Sequence, residues 1–218
     1  MRRAWTGTRS HRGIKRTSLL WLSLVVVFVI SSMAAGSASA AKKVLVLRYS
    51  NDNSTVEAGE ALKGSGGRAF TFLPYGSVEC GEDRWAGTLA NNLAVTDSAQ
   101  INTAETESCS GLGPGTTIRW ENLPWPTTFT SKGIATFKTV RFTAKFQTLT
   151  CVFESKKVKA TFEVGLSPVL FNVVTSAQKF KLLKKLSNPT CPKESKVDAG
   201  DTVSGEHLGE PTITTELK

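Results

Sequence analysis

The chain has 218 residues, with 27 basic and 18 acidic side chains, four cysteines and two histidines. Positions 1–40 hold six of the basic residues and no acidic one, so positions 41–218 carry 21 basic against 18 acidic residues, a net charge of +3. This length suffices for one domain with its own hydrophobic core. Without a C-x-x-C pair, and with only His207 after position 40, the composition argues against zinc, and we expect no metal and no cofactor.

The first 40 residues have the three parts of an export signal. A basic segment precedes the apolar run Leu19–Ile30, and Ala38-Ser39-Ala40 is an A-x-A site that a signal peptidase accepts. The run is short for a membrane span and borderline when extended over residues 19–35, so an uncleaved anchor is the alternative. In both cases we expect the rest of the chain outside the cytoplasm, either secreted or associated with the cell envelope.

Alternation of apolar and polar residues predicts an all-β chain. The clearest stretches, Val140–Phe146 and Lys157–Val164, each have one apolar and one charged face, which is typical of an antiparallel sheet that covers a core. The other strand candidates are 43–48, 68–73, 85–90, 99–108, 115–121, 149–154, 168–174, 178–183, 200–204 and 211–217. About ten or more short strands indicate an antiparallel β-sandwich or barrel. We assign 41–67 to an N-terminal strand and linker and 68–218 to the β domain.

Turn-forming residues separate these candidates. Turns are predicted at 64–67, 80–83, 111–115 and 187–189, because glycine, proline and asparagine cluster there. Residues 179–186 are ambiguous, since their apolar side chains also fit one face of a short helix.

Four cysteines in an exported chain predict two disulfides. They are Cys80, Cys109, Cys151 and Cys191. A faint internal repeat, in which similar Thr/Ser-rich strings surround the first and the second pair, favours Cys80–Cys109 and Cys151–Cys191 over the two crossed connectivities. Coincidence in a Thr/Ser-rich β chain is an equally good explanation of the repeat, so the pairing stays open at this point.

The string Asn122–Thr128, NLPWPTT, is the most distinctive local sequence. Its two prolines fix an extended backbone and remove ladder donors, which predicts a sheet edge or a crossover and not a central strand. Trp120, Leu123 and Trp125 are therefore interaction candidates, as a rigid platform for a sugar ring, a lipid or a proline-rich peptide. The competing interpretation is structural, with Trp125 as a plug at one end of the barrel or sandwich.

With Trp120–Pro126, Thr130–Gly133 and Leu149–Cys151, the chain resembles a group of uncharacterised exported proteins of high-GC Gram-positive bacteria. The resemblance covers roughly residues 68–205. It implies an export signal, Thr/Ser-rich strands and paired cysteines, and it implies no catalytic residue. The lysine-rich stretch at 179–185 departs from the group.

Charge is distributed unevenly along the chain. Residues 132–193 hold 12 basic and two acidic residues, whereas the flanking segments are net acidic. We expect a basic surface that includes Lys157, Lys159, Lys181 and Lys184, with an anionic cell-envelope polymer or lipid head groups as partner. The competing interpretation is that these lysines are only the solvent faces of strands. Nucleic acid is not expected, because the alternation places aromatic rings and lysines on opposite faces.

The sequence lacks the common catalytic and phosphate-binding motifs. The sequence has no G-x-S-x-G, H-E-x-x-H or P-loop, and His207 lies in a Gly/Glu-rich stretch typical of an exposed loop. Glu79, Glu82, Asp83 and Glu121 lack the specific spacing that a glycosidase assignment requires. We therefore expect a non-enzymatic envelope or extracellular β domain. A carrier of an apolar or saccharide ligand, with Trp120 or Trp125 at its mouth, is the alternative, and a hydrolase is the weakest hypothesis.

Overall fold

Twelve β-strands and one short 3₁₀ turn form the part of the chain that the computed structural model describes, residues 42–164, 169–205 and 211–217. The strands are β1 (Lys43–Tyr49), β2 (Ala61–Phe72), β3 (Gly76–Asn91), β4 (Thr96–Ser110), β5 (Thr117–Glu121), β6 (Trp125–Thr130), β7 (Ile134–Phe146), β8 (Leu149–Phe162), β9 (Val169–Leu170), β10 (Asn172–Leu182), β11 (Glu194–Gly205) and β12 (Pro211–Leu217), and the 3₁₀ turn is Lys184–Leu186. The predicted signal or anchor at 1–40 and His207 lie outside the described residues.

Eight antiparallel strands close into a barrel in the order β7-β6-β4-β3-β2-β11-β10-β8, and β8 pairs again with β7. The all-β prediction is confirmed, and of the two predicted architectures the barrel is the observed one. The unit runs from Lys42 to Lys218, and the predicted boundary at residue 67 falls inside β2. Across the described ranges, no helix has the length and apolarity that a membrane crossing requires.

The NLPWP string lies where one strand position of the barrel is divided in two. β5 pairs with residues 141–145 of β7 and β6 pairs with residues 134–137 of the same strand, so both lie along one edge of β7. The prediction of a sheet edge is wrong for β6, which pairs with both β4 and β7. Pro124 lies in the break, and the ladder from β6 to β7 starts only at Thr127, so the prolines do not remove hydrogen bonds from that ladder.

Phenylalanine rings fill much of the barrel interior. Phe142 lies at the centre of one cluster, with its ring centroid 5.2 Å from that of Phe70, 5.3 Å from Phe153 and 5.1 Å from Phe180. A second cluster of Phe129, Phe162 and Phe171 lies elsewhere in the same core. The alternation along β7 and β8 produces this interior, because every second side chain of a strand points to the same face.

A separate three-stranded sheet, in the order β1-β12-β9, accompanies the barrel. The β1 side chains Leu45 and Leu47 are fully buried in the same core cluster as the barrel residues. Leu45 N–H donates to Ala94 O (2.8 Å), in the connection between β3 and β4, which places β1 against this end of the barrel.

The disulfides join Cys80 to Cys109 and Cys151 to Cys191, the pairing that the repeat favours. The first links directly paired positions of β3 and β4. The second ties the start of β8 to the segment that follows the 3₁₀ turn. Two disulfides indicate an oxidising, extracytoplasmic environment.

Two predicted turns are wrong, because residues 64–67 lie inside β2 and residues 80–83 inside β3. Glycine has a packing role in β2. A side chain at Gly64 would overlap the Trp85 ring, and one at Gly66 would overlap the carbonyl of Gly200. The predicted turns at 111–115 and 187–189 do lie between strands. The ambiguous 179–186 stretch continues β10 to Leu182 and then forms the 3₁₀ turn.

Main-chain pairing around the barrel is interrupted in two places of the described chain. β10 pairs with β8 at residues 173–174 and 181–182 only, and Lys159 N–H is satisfied instead by the Gln178 side-chain oxygen (3.0 Å). β4 pairs with β6 up to Ile101, and its remaining residues have no ladder to β5. A groove of about 410 Å³ marks this second interruption.

Candidate functional site

The predicted aromatic candidates lie largely inside the barrel wall. Trp120 and Trp125 are buried and Leu123 is half-buried. The two indole rings meet edge to face with centroids 5.3 Å apart. Both indole N–H groups have partners, since Trp120 donates to Thr106 Oγ1 (2.6 Å) and Trp125 donates to Glu121 O (3.0 Å). These rings fill the interior, as in the plug interpretation, and do not present a flat exposed face.

The same interior holds an ion-pair cluster that the sequence analysis missed. Arg68 on β2 lies between two carboxylates, with its Nη2 3.1 Å from Asp201 Oδ2 and its Nε against Asp83. Its guanidinium carbon lies 4.9 Å from the centroid of the Trp120 ring, a cation–π geometry. Thr106 donates from Oγ1 to Asp83 Oδ1 (2.6 Å).

The register of three neighbouring strands explains this assembly. Gly66 pairs with Asp83 on β3 and with Asp201 on β11, so the two carboxylates flank a position that has no side chain. Gly66 lies two residues before Arg68 on the same strand, and a side chain at Gly66 would overlap the Gly200 carbonyl. The cluster therefore depends on a glycine that the composition alone assigns to a turn.

In this cluster, burial and the charge of the oppositely charged partner shift the pKa of Arg68, and likewise that of Asp201, in opposite directions. Burial lowers the pKa of Arg68, but the charges of Asp201 and Asp83 outweigh it and raise the pKa overall. The pKa of Asp201 is raised, first because the carboxyl is buried; Arg68 counteracts this and Asp83 adds to it. Arg68 therefore stays charged, and Asp201 is the member of the cluster that protonates more readily than an exposed aspartate.

Between these residues the barrel leaves a cavity of only about 30 Å³, lined by both indoles, Val158, Phe180 and Asp201. A volume of this size has room for about one or two water molecules. A drug-sized ligand needs roughly 300–1,000 Å³. The interior is therefore a packed core with a small polar centre.

A third buried carboxylate, Asp97 at the start of β4, lies apart from this cluster. Its side chain is 0% exposed; Oδ1 accepts the Ala94 N–H (3.0 Å), and Oδ2 has no hydrogen-bond partner in the described structure. Burial raises the pKa of Asp97 to about 7, and the Ala94 hydrogen bond only partly offsets this. Nothing places this carboxyl in an open cleft.

The acidic residues considered for glycosidase chemistry do not share one cleft. Glu79 and Glu82 are exposed on β3, whereas the neighbouring Asp83 lies inside the barrel at 1% exposure. Glu121 is occupied as the acceptor of the Thr143 hydroxyl. Over the described ranges, no three His, Cys, Asp or Glu side chains are grouped as a metal site.

On the outer wall, lysines converge where β7 meets β8. Lys138 pairs directly with Lys157, and Lys159 lies two residues further along β8, with its side chain on the same outer face. Directly opposed strand residues have Cβ atoms about 5 Å apart, and residues two apart along a strand lie about 7 Å apart. We call Lys138, Lys157 and Lys159 the lysine face; none of the three has an ion-pair partner among the described residues.

The other predicted basic residues lie outside the lysine face. Lys181 on β10 is paired in register with Glu154 on one side and Glu194 on the other, so it lies among charges of both signs. Those two carboxylates lie nearest Arg141 and Lys179. Lys184 lies in the 3₁₀ turn, exposed. Sequence reasoning missed Lys138, although the alternation on either side of Phe137 and Val140 could have indicated an outward side chain there.

Like charges at directly opposed strand positions are unfavourable for the fold. Each lysine of the face is exposed on a strand whose inward neighbours are core residues, such as Val158 and Ala160. The next outer residues, Thr136 and Thr161, are polar and offer hydrogen bonds, while Val174, which pairs with Thr161 and is 49% exposed, adds an apolar side chain beside the face.

Comparison of the chain with protein-family models, curated proteins and solved structures found no match.

Proposed function

We propose that this chain is a non-enzymatic extracytoplasmic barrel domain whose lysine face binds an anionic polymer of the cell envelope. The supporting observation is the direct opposition of Lys138 and Lys157, with Lys159 beside them and no acidic partner in the described structure. Three lysines whose strand positions lie within about 8 Å of one another raise the local positive potential above that of a net charge of +3 spread evenly.

The surroundings of the face favour a polymer over a bilayer. The polar side chains Thr136, Thr161 and Gln178 border the lysines and outnumber the exposed apolar side chain beside them, Val174. A polymer with repeated phosphate or carboxylate groups needs only exposed ammonium groups at a matching spacing. The small interior cavity argues against the carrier hypothesis, because it excludes an organic ligand from the barrel.

The test is binding of the protein, purified from its own host, to immobilised polyphosphate and to immobilised poly-L-glutamate. We expect binding at about 0.01 M ionic strength and its loss near 1 M, since the Debye length shrinks from ~30 Å to ~3 Å. The triple variant K138E/K157E/K159E should bind at least about tenfold more weakly, because the attraction becomes repulsion.

A matched control separates the face from the net charge. The variant K43E/K63E/K145E changes the charge by the same amount at exposed lysines of β1, β2 and the far end of β7. Retained binding in the control and lost binding in the face variant supports the proposal. Equal loss in both variants, or unchanged binding of the face variant, overturns it. Binding to vesicles with anionic head groups but to neither polymer would assign the face to a membrane instead.

A further inference from the structure

The wall of the barrel opposite the lysine face carries a groove of complementary charge. In the closed order of eight strands, β3 lies four strands from β8 in either direction. Over β3, β2 and β11 the outer surface forms a groove of about 580 Å³. Small residues of β2, β3 and β11 line it, together with the carboxylates Glu79 and Asp198 and the serines Ser108 and Ser110. Arg68 also lines the groove, but its charge is paired with Asp83 and Asp201 inside the barrel.

Strand register places the two carboxylates on opposite sides of the groove. Ala69 on β2 pairs with Glu79 on β3 and with Asp198 on β11. Because neighbouring strands are about 4.8 Å apart, the backbone positions of Glu79 and Asp198 lie about 10 Å apart, across a strip that carries only a methyl group. The Asp198 carboxylate reaches toward β10, since its Oδ1 accepts the Ala177 N–H (2.6 Å). The strip leaves room for a cationic side chain beside Glu79, with the negative charge of Asp198 at its far border.

Two of the groove glycines, Gly81 and Gly200, occupy positions that other residues could fill. Gly81 and Gly200 have open space where a Cβ would stand, and neither has the positive φ that favours glycine. Gly200 pairs directly with Gly67, which extends the strip without side chains across β11 and β2. Glycine weakens a strand interior, and its presence there often marks a place where another molecule approaches the backbone closely.

We infer that this acidic groove binds the lysine face of a second copy of the chain. The charges are complementary, and both surfaces are exposed in one protomer. Since the two surfaces lie on opposite walls, the contact is head to tail, and it leaves a free lysine face and a free groove for further copies. The inference uses the exposed lysine face of the proposed function, but it does not require any anionic polymer.

Sedimentation velocity of the protein purified from its own host tests this association. At about 0.01 M ionic strength the sedimentation coefficient should rise with protein concentration, and near 1 M it should not. The face variant K138E/K157E/K159E and the groove variant E79K/G81K should each stay monomeric. An equimolar mixture of the two should associate again, because each carries the charge that the other's surface needs.

A control with the same added charge is E57K/A90K, which changes two exposed residues outside the groove and should associate like the wild type. Circular dichroism of each variant confirms that it is folded. A mixture that stays monomeric overturns the inference, and so does wild-type association of either variant alone. The groove variant should still bind polyphosphate, so loss of self-association with retained polymer binding is distinguishable from failure of the proposed function.

Discussion

The buried Arg68 offers the sharpest test of how the barrel is held together. Replacing it in Arg68→Met removes a cation that lies against Asp83 and 3.1 Å from Asp201. Two buried carboxylates then lose their cation, and Asp201 lines a cavity of only about 30 Å³, with no room for bulk water. Removing one partner of a buried ion pair typically costs about 3–5 kcal/mol of unfolding free energy.

Urea unfolding followed by tryptophan fluorescence measures this loss, since Trp120 lies under the guanidinium. With a slope of about 2 kcal/mol per M, the midpoint should fall by roughly 2 M. The matched control is Arg84→Met, which removes an exposed arginine 2.7 Å from the Glu82 carboxylate and should change the free energy by less than about 0.5 kcal/mol.

The destabilisation caused by Arg68→Met should depend on pH, in a direction that follows from the pKa of Asp201. Arg68 lowers the pKa of Asp201, so its removal raises that pKa further above the value of an unfolded aspartate. A carboxyl with a raised folded pKa leaves stability intact below the unfolded pKa, near 4, and loses it as the pH rises toward the folded pKa. Arg68→Met should therefore be less destabilising at pH 4 than at pH 8.

Neutralising the carboxylates as well should restore much of the loss. In Arg68→Met/Asp83→Asn/Asp201→Asn no charge of this cluster is left buried, and such replacements are often close to neutral. The reasoning is refuted if Arg68→Met costs less than about 1 kcal/mol at pH 8, or if the triple variant is no more stable than the single one.

The remaining predictions concern single features of the fold. Because the folded pKa of Asp97 is about 7, the unfolding free energy of the wild type should fall between pH 4 and pH 7. Asp97→Asn should flatten that fall, and an unchanged pH profile of this variant would show that the Asp97 carboxyl is not its source. Gly64→Ala should destabilise by roughly 1–3 kcal/mol through overlap with the buried indole, whereas Gly81→Ala should be neutral or slightly stabilising; thermal melts that rank the two in reverse contradict the packing described here. Replacing Cys151 and Cys191 by serine should cost about 2–5 kcal/mol in urea unfolding under non-reducing conditions, and a cost near zero would mean that this bridge does not constrain the chain.

The strands were predictable wherever alternation continues over several residues. Val140–Phe146 and residues 157–162 lie in β7 and β8, with phenylalanines inside and lysines outside, because a period of two fixes the face of every side chain. Glycine misled the prediction at 64–67 and 80–83. In β2, Gly64 admits the Trp85 ring from the neighbouring strand, whereas single-sequence reasoning assigns the same residue to a turn; no such contact accounts for Gly81 in β3.

The ion-pair cluster of Arg68, Asp83 and Asp201 could not be predicted from the sequence. Arg68 and Asp201 are 133 residues apart, and they meet only because β2 and β11 are neighbours in one particular register. Lys138 was also missed as part of the basic surface, since its proximity to Lys157 is a cross-strand relation that a tally of charges along the chain does not contain.

The interrupted main-chain pairing between β8 and β10, the seam of the barrel, has a consequence for the exchange of water and protons with the interior. Val158 from β8 and Phe180 from β10 line the small cavity that Asp201 also lines, so the stretch without main-chain pairing lies beside the polar centre. At this height the wall is closed by the buried side chains Val158 and Phe180, so slight widening there breaks no backbone hydrogen bond of the ladder. We therefore expect water to exchange through this seam without unfolding of the barrel, and the protonation of Asp201 to follow the outside pH on a timescale shorter than that of global opening.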